Sequence, residues 1–188
     1  MDADKLFEII KSRRAVMPLS FSDEKISDNE LKLILESANW APTHKKTEPW
    51  RFKVIGNNSK KSFADFMTTQ YKNITAPEKQ SERKIDGIIQ KVEKSDKILL
   101  ICVKFSGLLP EWEEIASVAA SVQNMWLMCT ALGIGSYWSS PAMIEKMGEF
   151  TELEENEKCI GVFYMGKLNI PLYEGTRIPI DEKIKYLS

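Results

Sequence analysis

Between Ile115 and Trp138 the chain reads IASVAASVQNMWLMCTALGIGSYW, and the first eighteen of these residues carry no charge. Ile115, Val118, Val122, Met125, Trp126 and Cys129 fall at helical spacing, while Ala116, Ala120, Leu127 and Ala131 leave the opposite face apolar or small. A helix with no polar face must be covered on every side, so this segment predicts a central core helix with the other elements wrapped around it. Small residues at Ala116, Ser117, Ala119, Ala120 and Ser121 permit close approach of another helix. Gln123 and Asn124 need hydrogen-bond partners wherever they are buried. Gly133 is placed to end the helix in the left-handed conformation, and Ile134 to Trp138 reads as a strand that starts at once.

The remaining segments supply candidate covers. Leu6, Phe7, Ile9 and Ile10 form the apolar side of a short opening helix over Asp4 to Arg13, and Pro18 forces the following chain to extend. Ser27 and Glu30 have capping-box spacing, and Leu31, Ile34, Leu35 and Ala38 continue that helix to about Trp40. A polar loop from Ala41 to Pro49 leads into a half-buried strand, Trp50 to Gly56. Lys60 to Tyr71 is helical in pattern. Lys72 to Lys97 is charge-rich, with a weak helical pattern at Ile85, Ile88, Ile89 and Val92, and is the expected mobile segment. Ile98 to Val103 is a continuous apolar run, the mark of a strand buried on both faces. A short helix follows Pro141 to about Phe150, Cys159 to Gly166 is the last clear strand, and the tail from Lys167 to Ser188 is mostly extended. The order predicts one α+β domain over residues 1–188, with helices on both faces of a single sheet.

Composition narrows the function. A net charge of -1 over 188 residues argues against a general nucleic-acid binder. The amino terminus has acids and no long apolar core, so it is no signal peptide, and the central run is too short and too interrupted for a membrane span. Cys102, Cys129 and Cys159 sit apart in apolar surroundings, as buried thiols of a reducing cytoplasm do; the expected location is cytoplasmic. One histidine and three dispersed cysteines give no metal cluster. His44 is the only histidine available to a triad, no G-x-S-x-G elbow or P-loop is present, and Gly133-Ile134-Gly135 follows a helix where a Rossmann turn must follow a strand.

Three stretches carry chemistry. Arg13-Arg14 is the only adjacent arginine pair; it suits a phosphate, or is a solvated basic pair. The loop between Pro42 and Pro49 holds Thr43, His44 and two lysines ahead of Trp50, as a binding loop or an ordinary surface loop does. Gly135-Ser136-Tyr137-Trp138-Ser139-Ser140-Pro141 either offers backbone amides to a planar ligand or tucks under the sheet.

Together these stretches resemble the nitroreductase family of flavin enzymes. The resemblance rests on Arg13-Arg14, Ala41-Pro42-Thr43-His44-Lys45-Lys46-Thr47-Glu48-Pro49-Trp50-Arg51-Phe52, Gln123-Asn124-Met125, Leu132-Gly133-Ile134-Gly135-Ser136 and Tyr164-Met165-Gly166, in order and over nearly the whole chain. The length and the A-P-x-H-K variant are most similar to the compact, YdjA-type branch. The resemblance implies a mostly antiparallel sheet flanked by helices, a homodimer with FMN at the subunit interface, and NAD(P)H as co-substrate. It implies reduction of a small aromatic acceptor, nitroaromatic or quinone-type, by hydride transfer through the flavin N5, with no residue acting as catalytic acid or base. A flavin-binding or redox-sensing dimer without efficient turnover is the alternative. By position, Arg13, Arg14 and Ala15 would hold the phosphate and pyrimidine side of FMN. Trp40 and His44 would come from the Pro42 loop, His44 reaching the flavin of the other subunit. Trp138, Ser139 and Ser140 would line the ring, with a backbone N–H aimed at N5, and Gly166 and Lys167 would close the phosphate side. Ala15, Met17, Lys46, Glu48 and Pro141 depart from the residues common in the family.

Overall fold

The apolar run at residues 98–103 forms the interior of strand β2 (Lys97–Lys104), where all six side chains from Ile98 to Val103 are inaccessible. The computed structural model describes residues 2–171 and 173–187; Met1, and Leu172 and Ser188 of the expected extended tail, lie outside the described residues. β2 pairs with β1 (Trp50–Ile55) on one side and β4 (Glu157–Lys167) on the other, and β3 (Ile134–Ser139) adds beyond β4. The order is β1-β2-β4-β3 and every strand pair is antiparallel.

Successive side chains of a strand point to opposite faces, so the unbroken apolar run feeds two half-cores. Leu99, Ile101 and Val103 face α2 (Asp28–Asn39) and α5 (Glu111–Ala131), meeting Ile34, Ala38, Val118, Val122 and Met125. Ile98, Leu100 and Cys102 face α3 (Lys60–Ile74), α4 (Glu82–Lys94) and the 3-10 segment Ala142–Glu149, meeting Phe63, Met67, Ile85, Val92 and Met147. This is the expected α+β arrangement, helices on both faces of one sheet. The short α1 (Ala3–Ser12) packs on α5 from outside.

The charge-rich segment from Lys72 to Lys97 holds α4, a regular amphipathic helix whose Ile85 and Val92 are buried. The short helix expected after Pro141 is present as the 3-10 segment Ala142–Glu149. One expectation changes on contact with tertiary structure. α5 is not covered on all sides: Val118, Val122, Met125 and Cys129 are inaccessible, but Ile115 is 40% exposed and Ala116, Gln123 and Ala131 also face outward. The sheet, α1 and α2 leave one stripe of the helix open. The two amides part company accordingly, since Asn124 Nδ2 donates to Ser37 O at 3.1 Å while Gln123 lies on the open stripe. Gly133 ends α5 with φ +67, as expected.

The predicted capping box is present: Ser27 Oγ accepts from Glu30 N, and Glu30 Oε2 accepts from Ser27 N at 2.9 Å. The other Glu30 oxygen receives Lys167 Nζ from the end of β4, tying α2 to the sheet. The Lys167 hydrogen bond, with the Ser27 contacts, holds the Glu30 carboxyl down at about 2. A carboxylate whose pKa is depressed by folding stabilises the fold fully above its unfolded value and ceases to do so as pH falls through the folded one. The parent protein is therefore expected to lose urea resistance as pH drops from 4.5 towards about 2, and Glu30→Gln to flatten that part of the profile. Urea midpoints of both proteins across that range check it; parallel profiles would refute the assignment.

Candidate functional site

β3 is an edge strand, and the chain covers only one end of its free side. A single parallel bridge joins Ala15 to Ser136, with Val16 N–H donating to Ser136 O at 2.9 Å. N–H and C=O of one residue share an edge and alternate along the strand, so Trp138, two residues on, points its backbone groups the same way as Ser136. The strap has left by then: Pro18 to Ser20 turns away as a 3-10 segment. Among the described residues no backbone group outside the sheet bonds to Trp138 N–H. From the point opposite Ala15, the stretch Trp138 to Ser140 lies about 7–13 Å further along this edge.

At the near end the arginines converge. Arg13 caps α1 and lays its guanidinium over the Trp126 ring of α5, 4.7 Å from the centroid. The Trp126 indole N–H donates to Arg14 O at 3.0 Å, so one side chain fixes both residues of the pair. Arg14 Nε donates to Tyr173 O at 3.0 Å, which brings the tail back across α1 and lines a cavity of about 670 Å³ with Lys11, Arg14 and Arg177 as well as Glu8 and Glu174. Burial, then the charges of Arg177 and Arg14, push the Arg13 pKa down. Among the described residues none of these three arginines forms an ion pair with a carboxylate.

At the far end Trp138 lies flat across β4, where a Cβ on Gly161 would come 2.0 Å from the indole Nε1. Only glycine admits that approach. Ser136 Oγ and Trp138 Nε1, both on β3, are buried without hydrogen-bond partners among the described residues. Ser139 is half-buried at the end of the strand and Ser140 is exposed.

The other site residues predicted from the sequence are placed as follows. Gly166 pairs with Gly135, and a Cβ there would meet the Phe21 ring at 2.5 Å, so an aromatic ring fills the space above it. Lys167 is engaged by Glu30. Trp40 is 80% exposed at the end of α2, its indole donating to Glu36 Oε1 at 3.1 Å. His44 is exposed, its Nδ1 hydrogen-bonded to Glu113 Oε2 at 2.8 Å, in a loop where Lys45, Lys46 and Glu48 take positive φ. Glu113 and Trp126 stand thirteen residues apart on α5, about 20 Å of helix. One chain therefore brings Arg13, Arg14 and Ala15 to the β3 edge with Trp138 to Ser140, and leaves Trp40 and His44 apart from them. Sequence reasoning missed Arg177, Trp126 and Glu113. Arg177 is a lone cation in a proline-flanked tail, and nothing local points it back to residue 13.

Comparison with known proteins places this architecture. YdjA of Escherichia coli (strain K12), provisionally named an NAD(P)H nitroreductase, is 25% identical over 183 residues, covering 95% of each chain. The crystal structure of a nitroreductase-like family protein from Bacillus cereus superposes with a TM-score of 0.81 at 24% identity, covering 97% of this chain and 95% of that one. The FMN-dependent nitroreductase NfnB of Mycobacterium smegmatis, solved in complex with NADPH, gives a TM-score of 0.77 at 15% identity, covering 100% of both chains. No helix among the described residues is long and apolar enough to cross a membrane. A sequence model of the Nitroreductase family matches residues 10–167, and with a fold shared end to end with solved members, this chain belongs to the nitroreductase family.

Proposed function

We propose that the chain is an FMN-dependent oxidoreductase that takes reducing equivalents from NAD(P)H and passes them to a nitroaromatic or quinone-type acceptor. It does so as a homodimer with the flavin between subunits. The observation that carries this reading is the cluster of Arg13, Arg14 and Arg177, none of them in an ion pair among the described residues, at one end of an edge whose next outward N–H has no backbone partner there. Gathered cations that form no ion pair fit an anionic group, and guanidinium forks match phosphate geometry. The names of NfnB and YdjA, which cite FMN, NADPH and NAD(P)H, support the same cofactors here.

In this reading Arg13 and Arg14 hold the phosphate, and Arg177 adds a third cation where Met17 supplies none. Ala15 and Val16 set the strap's distance from β3. Trp138 presents its backbone N–H towards the ring, with Ser139 and Ser140 beside it. When bound, FMN supplies the two-electron chemistry, which the protein's side chains do not. The protein's part is to orient donor and acceptor in turn and to hold positive charge near the reduced ring. His44 lies about 20 Å along α5 from Arg13, too far to share its own chain's site; across a two-fold axis it meets the other. The open stripe of α5 supplies that axis, with Ala116 on it and Ala120 turned towards the half-core.

The purified protein is expected to be yellow, to bleach with NADH or NADPH under anaerobic conditions, and to recover colour with a quinone. A yellow protein that neither nucleotide bleaches would leave a flavin-binding protein without this activity. Arg13→Ala removes a charge-assisted contact of about 1.5–3 kcal/mol and is expected to weaken flavin binding about ten- to a hundredfold, measured by flavin release on dilution. Ala116→Arg places a charge on the open stripe at little cost to a single chain. It is expected to give a folded monomer that has lost its flavin, read by sedimentation and absorbance on one sample. A folded monomer that still binds FMN tightly would overturn the shared site.

A further inference from the structure

Two of the three cysteines are neighbours across the sheet. Cys102 on β2 and Cys159 on β4 are direct partners in the antiparallel ladder, next to a bulge that leaves Ile160 unpaired. Both side chains enter the half-core under α3 and α4. Directly opposed residues in such a ladder hold their Cα atoms about 4.5–5.5 Å apart, within the roughly 4.4–6.8 Å that a disulfide spans.

The two thiols are not equivalent. Cys159 Sγ–H donates to Gly161 O at 3.6 Å. Interaction with the neighbouring Cys102 thiol draws the Cys159 pKa below the usual thiol value, and the same interaction together with burial pushes the Cys102 thiol up. Cys102 is inaccessible, whereas Cys159 retains 6% exposure. Cys129 is set apart in the other half-core, 3.7 Å from Met165 Sδ, its thiol pushed up to about 12 by burial. Ser139, at the far end of the candidate flavin edge on β3, pairs with Val162, three residues or about 10 Å along β4 from Cys159.

We propose that Cys102 and Cys159 form a redox-active dithiol that closes to a disulfide when the protein meets a hydroperoxide, such as hydrogen peroxide. Cys159, as thiolate, attacks one peroxide oxygen. The O–O bond breaks, the other oxygen leaves as water after taking up a proton, and Cys159 becomes a sulfenic acid, having given two electrons to the peroxide. The Cys102 sulfur then displaces the sulfenic hydroxyl, forming the S–S bond, and that hydroxyl departs with the Cys102 proton as a second water. Two thiols and one peroxide give one disulfide and two waters. The ladder already holds the two residues directly opposite each other on one face, so closure asks little of the backbone.

The test is a peptide map of the parent protein, reduced, treated with hydrogen peroxide, then unfolded in iodoacetamide. The expected result is alkylation of Cys129 alone, a Cys102–Cys159 linked peptide about 2 Da lighter than the sum of its parts, and reversal of both by dithiothreitol. Three alkylated cysteines, an irreversible Cys159 sulfinic acid without the link, or a link between separate chains would each overturn the proposal. Dimedone distinguishes the roles: C102S is expected to label at Cys159, and labelling at Cys102 in C159S would reverse the assignment. The peptide map of the parent decides the pairing even where a variant fails to fold.

Discussion

Strands β2 and β4 have almost no accessible face, and that burial governs what every other element can do. Backbone groups deep in the core must be paired, so two strands buried above and below require partners along both edges. β1 and β3 supply those partners and become the sheet's edges in turn. Edge strands leave N–H and C=O groups open, and a protein covers them or uses them. On the β3 side the strap at Ala15 and Val16 closes one end and turns away, leaving Trp138 with an open backbone edge. The candidate site is thus a direct consequence of how the core is built.

Trp126 connects that core to the charged end of the site. Its ring meets Phe163 edge-on at 5.6 Å, its face carries Arg13, and its N–H holds Arg14 O. Burial of Arg13 against that ring, and then the charges of Arg177 and Arg14, push its pKa down. The stacking also restricts a side chain that would otherwise sweep a wide arc, so the cation is already oriented.

α5 serves both halves of the arrangement. Its inner stripe completes the half-core against β2 and β4, and its outer stripe of Ile115, Ala116, Gln123 and Ala131 has no cover in one chain. That stripe runs between the His44 loop and the Arg13 strap, so a partner seated on it, as proposed above, lies across both.

The sequence alone was enough for the elements and for much of the site. Helical spacing in residues 115–131, the Ser27–Glu30 capping box and the double-faced strand at residues 98–103 are local patterns, set by periodicity and by side chains reaching three or four residues along the chain. Arg13, Arg14 and the Trp138 to Ser140 stretch were legible as motifs because each occupies a contiguous stretch. What the sequence did not contain was which motifs share a place. The approach of Arg177 to Arg13 depends on where a tail more than 160 residues later folds back; the separation of His44 from Arg13 depends on the length of a helix between their contacts. Phe21 over Gly166, Glu30 on Lys167, the Trp138 indole across Gly161 and the paired thiols of Cys102 and Cys159 are likewise products of strand register and packing. Local chemistry wrote the helices, strands and motifs; only the order of strands across the sheet, set by long-range burial, decided which of those motifs meet.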